Sequence, residues 1–505
     1  MRQTFAFGPW APDAPVYGGD HLVEAQGVVY RGGSYRALRT FGGLALGAIP
    51  ARVVSATGVL AGDNTVEIFA GTAAQLWWRS GAGVFADASP NGVTFSAPMD
   101  FGWSFAQFGR RVIASNVVDG AFRFDLGVDS RFAALPNAPA GKVLALIGDH
   151  LMMGDVREGA ERRPWRVQWS GFNNTEIWGV DPINQADFQD LDPSHGAVQA
   201  IVGGDYIAAF QSRSVSRVTR VGGDVVFRFD VVDRERGAWA GRSVVRVGNL
   251  IYYLAQDGFY RFDGASSVPI GVGRVDKWAL GRVDPAAREQ MRAAHDPVEA
   301  CVVWCWPLFP QPEGALASAP VSVLLRYAYL EDRWSYELTG SPRGAVVFPG
   351  ALQSALGVDG WDVVVDNSDV LVDLAEAARD DLVLLSWDFD GSSSTLLSRS
   401  GPWAPALLRT SAQALEPDRR VRVSGARALI DAEPATGVEI GVSAQDDQIR
   451  TVIGLVTTAR PSAANGFAGL RRDGRYFRAQ LATDPDTSFS AAQGVDLRFS
   501  ATGRF

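Results

Sequence analysis

Two stretches of the 505-residue sequence repeat one another: residues 109–125 read GRRVIASNVVDGAFRFD, and residues 248–263 read GNLIYYLAQDGFYRFD. Each contains an apolar run, an Asp-Gly pair (Asp119-Gly120 and Asp257-Gly258) and a second run that ends in Arg-Phe-Asp. An Asp-Gly pair between alternating runs is typical of a hairpin with a type I′ turn, in which both central residues have positive φ. The repeat therefore predicts strand pairs of one kind along the chain.

Looser copies of this hairpin occur at residues 148–154, 203–230, 321–337 and 358–374. Together they suggest six or seven units of roughly 30–50 residues, which is the size of a β-propeller blade. We predict an all-β fold with a six- or seven-bladed β-propeller over residues 51–380. A series of unrelated hairpins in a large sandwich is the alternative, because the sequence has no WD or kelch signature.

Two regions flank the predicted propeller. Residues 1–50 are rich in turn-forming residues, and we predict an extended N-terminal lead-in there. Residues 381–505 lose the Asp-Gly repeat but keep apolar alternation, which predicts a second, smaller β-sandwich-like domain. Short helices are predicted over residues 284–294, where Asp284-Pro285 opens the segment, and over residues 370–382.

Composition supports a turn-rich β fold and disfavours a dedicated nucleic-acid binder. The chain has 55 glycines and 26 prolines, 81 of 505 residues, which is more than an average protein contains. It has 47 basic and 56 acidic residues, a formal net charge of −9. Residues 380–505 hold 14 arginines against 15 carboxylates, so −8 of this charge precedes residue 380. A protein with this balance has no basic footprint for phosphate binding.

Neither a membrane segment nor a disulfide is predicted. The sequence has no apolar run of 18 residues, and its first residues lack the apolar region of a signal peptide. Cys301 and Cys305 would lie roughly 13 Å apart on one strand, whereas a disulfide needs Cα atoms within about 7 Å. We expect two thiols in a core and a protein that tolerates a reducing compartment.

A search for catalytic chemistry in the sequence is negative. The four histidines, His21, His150, His195 and His295, are at least 45 residues apart, and no Cys-x-x-Cys or His-x-x-x-His pair occurs. The Gly-x-Ser-x-Gly elbow and the glycine-rich phosphate-binding loops are also missing. We therefore predict no catalytic, cofactor-binding or metal-ligating residue, no cofactor and no enzyme activity. His195 is expected to be a turn residue.

Two residue sets have functional interpretations beside structural ones. Asp187, Asp190 and Asp192 are crowded enough to supply the two carboxylates of a glycosidase, but solvated turns between blades are the preferred interpretation. The tryptophans are compatible with a sugar-binding platform, but we expect them to fill blade cores. The tryptophans concerned are Trp77, Trp78, Trp165, Trp169, Trp178, Trp304, Trp306 and Trp334.

A family resemblance rests on the middle of the chain and on both ends. The central residues that resemble the family lie in segments 165–191, 196–204, 257–260 and 270–278. Near the N-terminus they are Trp10–Pro15 and Val23–Ala25, and near the C-terminus Gln493–Asp496. These segments are similar to tailed-phage and prophage structural proteins, the nozzle or tail-hub propellers of short-tailed phages.

The resemblance implies a virion protein, assembled in the bacterial host cytoplasm, that forms a homo-oligomeric ring in the phage tail. The ring, of six copies by this resemblance, would extend the DNA channel, contact adjacent tail or adaptor proteins, and help retain and release the genome. DNA would pass through its lumen without specific binding, and an acidic wall would suit that role. The lead-in and the proline-rich residues 307–320 are candidate subunit contacts.

Two alternatives remain open at the level of sequence. One is a glycan-active propeller enzyme that uses Asp187 and Asp190. The other is a receptor-binding or adhesin module of the tail.

Overall fold

A computed structural model describes residues 1–62, 65–81, 83–222, 225–312, 321–339, 346–351, 382–416, 419–446 and 456–503. Strands dominate these residues, and the all-β prediction is confirmed. The helical elements are one short α-helix, α1 (Asp276–Leu280), and the 3-10 segments Pro193–His195, Gly241–Ser243, Pro285–Gln290 and Ala435–Gly437. In this part of the chain, no helix is both long enough and apolar enough to span a membrane.

The fold has two parts, a propeller and a sandwich, and the first fifty residues contribute strands to both. These strands are β1 (Arg2–Ala6), β2 (Leu22–Gln26), β3 (Val28–Arg31), β4 (Ser34–Ala37) and β5 (Gly42–Ile49). The first four belong to the sandwich and β5 belongs to the propeller.

The propeller contains seven four-stranded antiparallel blades within the described residues. Blade 1 consists of β6 (Val53–Leu60), β7 (Val66–Thr72), β8 (Leu76–Arg79) and β9 (Ala86–Asp87). Blade 2 consists of β10 (Ser104–Phe108), β11 (Arg111–Asn116), β12 (Gly120–Asp125) and β13 (Ala133–Ala134). Blade 3 consists of β14 (Ala140–Ile147), β15 (His150–Glu158), β16 (Glu161–Trp169) and β17 (Asp187–Asp190). Blade 4 consists of β18 (Val198–Val202), β19 (Ile207–Gln211), β20 (Val215–Gly222) and β21 (Val225–Asp233). Blade 5 consists of β22 (Val245–Val247), β23 (Leu250–Leu254), β24 (Phe259–Phe262) and β25 (Ser267–Pro269). Blade 6 consists of β26 (Arg292–Asp296), β27 (Cys301–Pro307), β28 (Ser322–Ala328) and β29 (Arg333–Leu338).

Blade 7 closes the ring with strands from two distant parts of the chain. Its order is β30 (Val346–Ala351), β31 (Leu382–Phe389), β32 (Ser394–Ser398) and then β5, which pairs with β32 from Ser394↔Ile49 to Ser398↔Gly42. The first strand of blade 7 contacts the first strands of blades 1 and 6. Closure of this kind leaves no blade at the end of a row, so each blade buries both faces.

Each pair of neighbouring blades shares an apolar core. Aromatic side chains meet across several of these contacts, and in three of them the ring centroids lie 5.1 Å apart: Phe69 with Phe124, Phe210 with Tyr253, and Phe85 with Trp387. The third pair joins blade 1 to blade 7 and completes the ring of cores. Cys301 and Cys305 are buried thiols in the core between blades 6 and 7 and are not joined by a disulfide.

The sandwich combines the N-terminal strands with β33 (Leu407–Thr410), β34 (Gln413–Ala414), β35 (Arg420–Ile430), β36 (Val438–Gln445), β37 (Thr457–Ala459), β38 (Arg472–Gly474), β39 (Tyr476–Thr483) and β40 (Ala492–Gly503). One sheet has the order β3-β4-β40-β35-β38, with β1 on β40. The other runs β2-β33-β39-β36-β37 and continues from blade 6, because β2 pairs in parallel with β29 at Gln26↔Tyr336. Phe5, Ile440 and Leu497 are among the buried residues of its core.

The predicted segment boundaries differ from the observed ones. The lead-in at residues 1–50 is no separate extension, since its strands pair with β40, β33, β29 and β32. The boundary at residue 380 falls inside blade 7, whose strands β31 and β32 follow it. Long-range strand pairing decides both points, and the local alternation of apolar residues does not indicate which partner a strand takes.

Two local predictions also change. Both Asp-Gly hairpins form, but only Gly120 (φ 115°) and Gly258 (φ 149°) have positive φ, so the turns are not type I′. Asn116 closes the first turn by accepting hydrogen bonds from the backbone N–H of residues 118 and 119. The helix predicted over 284–294 is limited to Pro285–Gln290, because β26 begins at Arg292. Residues 313–320, the repeat copy at 358–374, and 370–381 of the second predicted helix lie outside the described residues.

Candidate functional site

Asp187 and Asp190 lie on β17, the outermost strand of blade 3, where they have structural partners. Both carboxylate oxygens of Asp190 accept hydrogen bonds from Arg166, at 2.7 and 2.9 Å, and the Arg166 guanidinium lies 3.7 Å from the centroid of the Phe188 ring. Hydrogen bonding to Arg166 holds the pKa of Asp190 below its usual value. A glycosidase acid needs a raised pKa, so this geometry favours an ion pair over catalysis.

Asp192 and His195 belong to the turn that leads into blade 4. The Asp192 carboxylate accepts a hydrogen bond of 2.8 Å from the Ser194 N–H and caps the 3-10 segment Pro193–His195. His195 is its last residue, and its carbonyl accepts from the Arg213 N–H at 3.0 Å, as expected of a turn residue. Over the described ranges, no group of three His, Cys, Asp or Glu side chains is placed to hold a metal ion.

The tryptophans divide into two groups. Trp169, Trp304, Trp306 and Trp334 are buried in blade cores, as predicted, and Trp304 stacks on Trp334 with ring centroids 5.8 Å apart. The other four, Trp77, Trp78, Trp165 and Trp178, are half-buried.

The propeller axis holds a polar cavity that the sequence did not reveal. We call it the central chamber; its volume is about 280 Å³, and the polar side chains that line it include Ser104, Lys142, Gln199, Arg242, Glu289 and Arg292. These residues come from the first strands of blades 2, 3, 4 and 6 and from the segments that lead into blades 5 and 6. Ligand sites in proteins typically have volumes of about 300–1,000 Å³, so the chamber is at the small end of that range.

Lys142 is held on one side of the central chamber. Its ammonium lies 3.1 Å from a Glu289 carboxylate oxygen and 3.3 Å from the Gln199 side-chain oxygen. It also lies 5.1 Å from the centroid of the Phe101 ring. Lys142 is one of only two lysines in the chain, but this rarity alone indicates no function, and no local motif marks the residue.

Two arginines reach across the axis beside Lys142. Arg292 starts blade 6 and donates to the Val54 carbonyl of blade 1 at 3.1 Å and to the Asp100 carbonyl at 2.8 Å. Arg242 precedes blade 5 and donates to the Trp103 carbonyl between blades 1 and 2. Burial lowers the pKa of Arg242 to about 10, and burial together with the nearby Arg242 lowers the pKa of Arg292. The axis is therefore crossed by cations and is not an open bore.

A second notable region is the junction between propeller and sandwich. Trp10 is fully buried there, with ring centroids 4.9 Å from Trp278 and 5.0 Å from Tyr336. The Asp13 carboxylate accepts from the N–H groups of Lys277 and Trp278 at 2.7 and 2.9 Å, at the start of α1. The junction thus joins the chain's first residues to blades 5 and 6.

Comparison with known proteins adds little beyond the architecture. No protein-family model matches the sequence, and no curated protein matches it. Among solved structures, the computationally designed Ika8 protein is similar at 10% identity and a TM-score of 0.36, over 74% of this chain and 95% of that one. The Neurospora crassa Pan2 WD40 domain is similar at 9% identity and a TM-score of 0.36, over 66% of this chain and 86% of that one. Virginiamycin B lyase from Staphylococcus aureus is similar at 10% identity and a TM-score of 0.31, over 60% of this chain and 98% of that one.

The class of the protein follows from its own strand pairing. It is a β-propeller, with seven blades among the residues described, joined to a β-sandwich through a continuous sheet. The TM-scores of these neighbours are all below 0.5, and their activities are not transferred to this chain.

Proposed function

We propose that this protein is a structural subunit of a bacteriophage tail, a nozzle or hub protein. Copies of it assemble into a ring that extends the DNA channel and helps to retain and release the genome. The observation that carries the proposal is that two of the segments resembling tail nozzle proteins, Trp10–Pro15 and residues 270–278, lie far apart in sequence but meet at the propeller–sandwich junction. Trp10–Pro15 contacts Arg274–Trp278 there, and Asp13 donates its backbone N–H to the Arg274 carbonyl at 2.9 Å.

The C-terminal segment that resembles the family adjoins Thr4–Phe7, which precede Trp10–Pro15 in the chain. Gln493–Asp496 lies on β40, which pairs with β1, and the Gln493 carbonyl accepts from the Phe7 N–H at 2.8 Å. Residues that fix two domains against each other would give the rigid building block that a ring needs. That role explains why residues that resemble tail nozzle proteins make contacts between the two domains.

The DNA path in this proposal runs between subunits, not through one propeller. Arg242 and Arg292 cross the axis of the propeller, and the central chamber is far narrower than a DNA duplex. The outer surfaces of several copies would therefore form the lumen. An acidic subunit suits such a wall because it offers few phosphate-neutralising contacts.

A subunit contact has a candidate surface on blade 3. The connection between β16 and β17 exposes Val180 and Ile183, with relative exposures of 66% and 92%. Contiguous exposed apolar surface marks places that a partner covers, and these two side chains are close in sequence. We assign them to the contact between copies.

The mass of the purified protein in solution tests the ring. Sedimentation velocity over a range of concentrations is expected to show a closed oligomer, either alone or after addition of the adjacent tail protein. A monomer under every condition, including with that tail protein, would contradict the proposal.

A further inference from the structure

The central chamber has an excess of positive charge. Three of its side chains are cationic, Lys142, Arg242 and Arg292, and the carboxylate of Glu289 is the one acidic group among its lining residues in the described part of the chain. The side chains of Lys142 and Glu289 are only 9% and 17% exposed. Buried cations are costly unless an anion or hydrogen-bond acceptors compensate them.

The compensation within the chain is incomplete. Within the described part of the chain, the side chain of Arg242 donates one hydrogen bond, to the backbone carbonyl of Trp103. Arg292 uses its Nη atoms on carbonyl oxygens, but its buried Nε has no hydrogen-bond partner among the described residues. Glu289 pairs with Lys142 and not with either arginine. Among the described residues, neither guanidinium group therefore has a carboxylate at ion-pair distance, although the charge of Glu289 acts on both at longer range and opposes the lowering of their pKa values.

The donor set fits one chemical class of ligand. A guanidinium group binds an oxyanion through its N–H donors, and an ammonium adds a point charge. Arg292 can contribute only its Nε–H, because its Nη atoms already donate to carbonyl oxygens. The size of the chamber, about 280 Å³, suits a small molecule and excludes a polymer. A metal cation or a neutral sugar would gain nothing from three cationic side chains.

We propose that the central chamber binds a small oxyanion, a phosphate or carboxylate group, between Lys142, Arg242 and Arg292. This inference does not depend on a role in a phage tail. In the empty chamber the Glu289 carboxylate pairs with the Lys142 ammonium. The oxyanion competes with Glu289 for this ammonium, so Glu289 lowers the affinity for the ligand.

Isothermal titration calorimetry of the full chain in a chloride buffer tests the proposal, with inorganic phosphate, pyrophosphate and citrate as separate probes. At least one probe is expected to bind saturably at one site, and which one binds distinguishes a phosphate from a carboxylate ligand. Lys142→Met and Arg242→Gln are each expected to weaken binding about 10-fold or more, as expected for loss of a hydrogen bond to a charged group. Lys277→Met is the matched control, because Lys277 is the other lysine and is exposed.

Glu289→Gln separates ligand binding from a structural effect. Glu289→Gln and Lys142→Met break the same ion pair, so damage to the fold alone would weaken binding in both. The proposal instead expects Glu289→Gln to bind the anion several-fold more tightly and Lys142→Met to bind it more weakly. The proposal would be overturned if none of the three probes bound saturably at a 10-fold molar excess over millimolar protein. It would also be overturned if Lys142→Met and Arg242→Gln bound the probes as tightly as the unsubstituted protein does.

Discussion

At the scale of single residues, Asp276 explains why a glycine stands at position 258, in the Asp-Gly pair of the second sequence repeat. A Cβ atom on Gly258 would lie 2.2 Å from an Asp276 carboxylate oxygen, and Gly258 has a φ of 149°. The same carboxylate accepts a hydrogen bond of 3.0 Å from the Phe259 N–H, which starts β24. The Asp-Gly pair in this repeat therefore marks a place where α1 approaches the hairpin closely.

Gly258→Ala should destabilise the protein more than Gly248→Ala. Both glycines have positive φ, but no atom lies within 4 Å of a Cβ built on Gly248. The backbone strain of about 1–3 kcal/mol applies to both, whereas the collision applies to Gly258 alone. Guanidinium unfolding of the two variants measures the difference, and equal losses would show that Asp276 moves away without cost.

Asp276 should make stability depend on pH. Burial raises its pKa from 3.8 to about 6, although the Phe259 N–H opposes this shift. The folded state thus holds the proton more tightly than the unfolded state does. The stabilising contribution is complete below pH 4 and is lost as the pH rises from about 4 to about 6, by at most about 3 kcal/mol.

Asp276→Asn tests this directly. Its unfolding free energy minus that of the unsubstituted protein should increase between pH 4 and pH 6.5, because the amide has no charge to bury. Groups common to both proteins cancel in this difference. A difference that stays constant over this range would mean that Asp276 has an ordinary pKa.

At the scale of elements, β5 is the strand that closes the propeller. Ile49 at its end is fully buried in the core between blades 7 and 1, with Leu385 and Trp387 on one side and Ile68 on the other. The alternating pattern of residues 42–49 was compatible with a strand, but its partner β32 lies some 350 residues later. No local signal indicates such a pairing.

Ile49→Ala should cost about 2–5 kcal/mol of unfolding free energy. Leu60→Ala is the control, because Leu60 is 52% exposed and its truncation should cost less than about 0.5 kcal/mol. Hydrogen exchange should accelerate in β6 and β31, next to the closure. Unchanged protection in these two strands would show that the ring does not depend on this contact.

At the scale of the whole molecule, sequence reasoning reached the all-β class, the blades and the second β domain but missed the central chamber. The hairpins were accessible because apolar alternation and turn residues are local. Lys142, Arg242 and Arg292 come from three blades, lie 50 to 150 residues apart, and are brought together only by ring closure. Asp190 shows the reverse, since a carboxylate that looks catalytic in the local sequence has a structural role once Arg166 is placed beside it.

The proposed ring predicts that Val180→Asp prevents assembly. A carboxylate on this 66% exposed connection would be buried without a partner in the contact between copies, at a cost of several kcal/mol. Val128→Asp is the matched control, because Val128 is a valine of the same 66% exposure on blade 2. Sedimentation velocity should show monomers for Val180→Asp and rings for Val128→Asp, and rings for both would place the contact elsewhere.

The most direct test of the tail proposal is cryo-electron microscopy of purified phage particles from a host that expresses this protein. We expect a ring of copies at the distal end of the tail, with the propeller axes beside the DNA channel and the channel between subunits. Particles that lack the protein, together with a strictly monomeric protein in solution, would contradict the proposal.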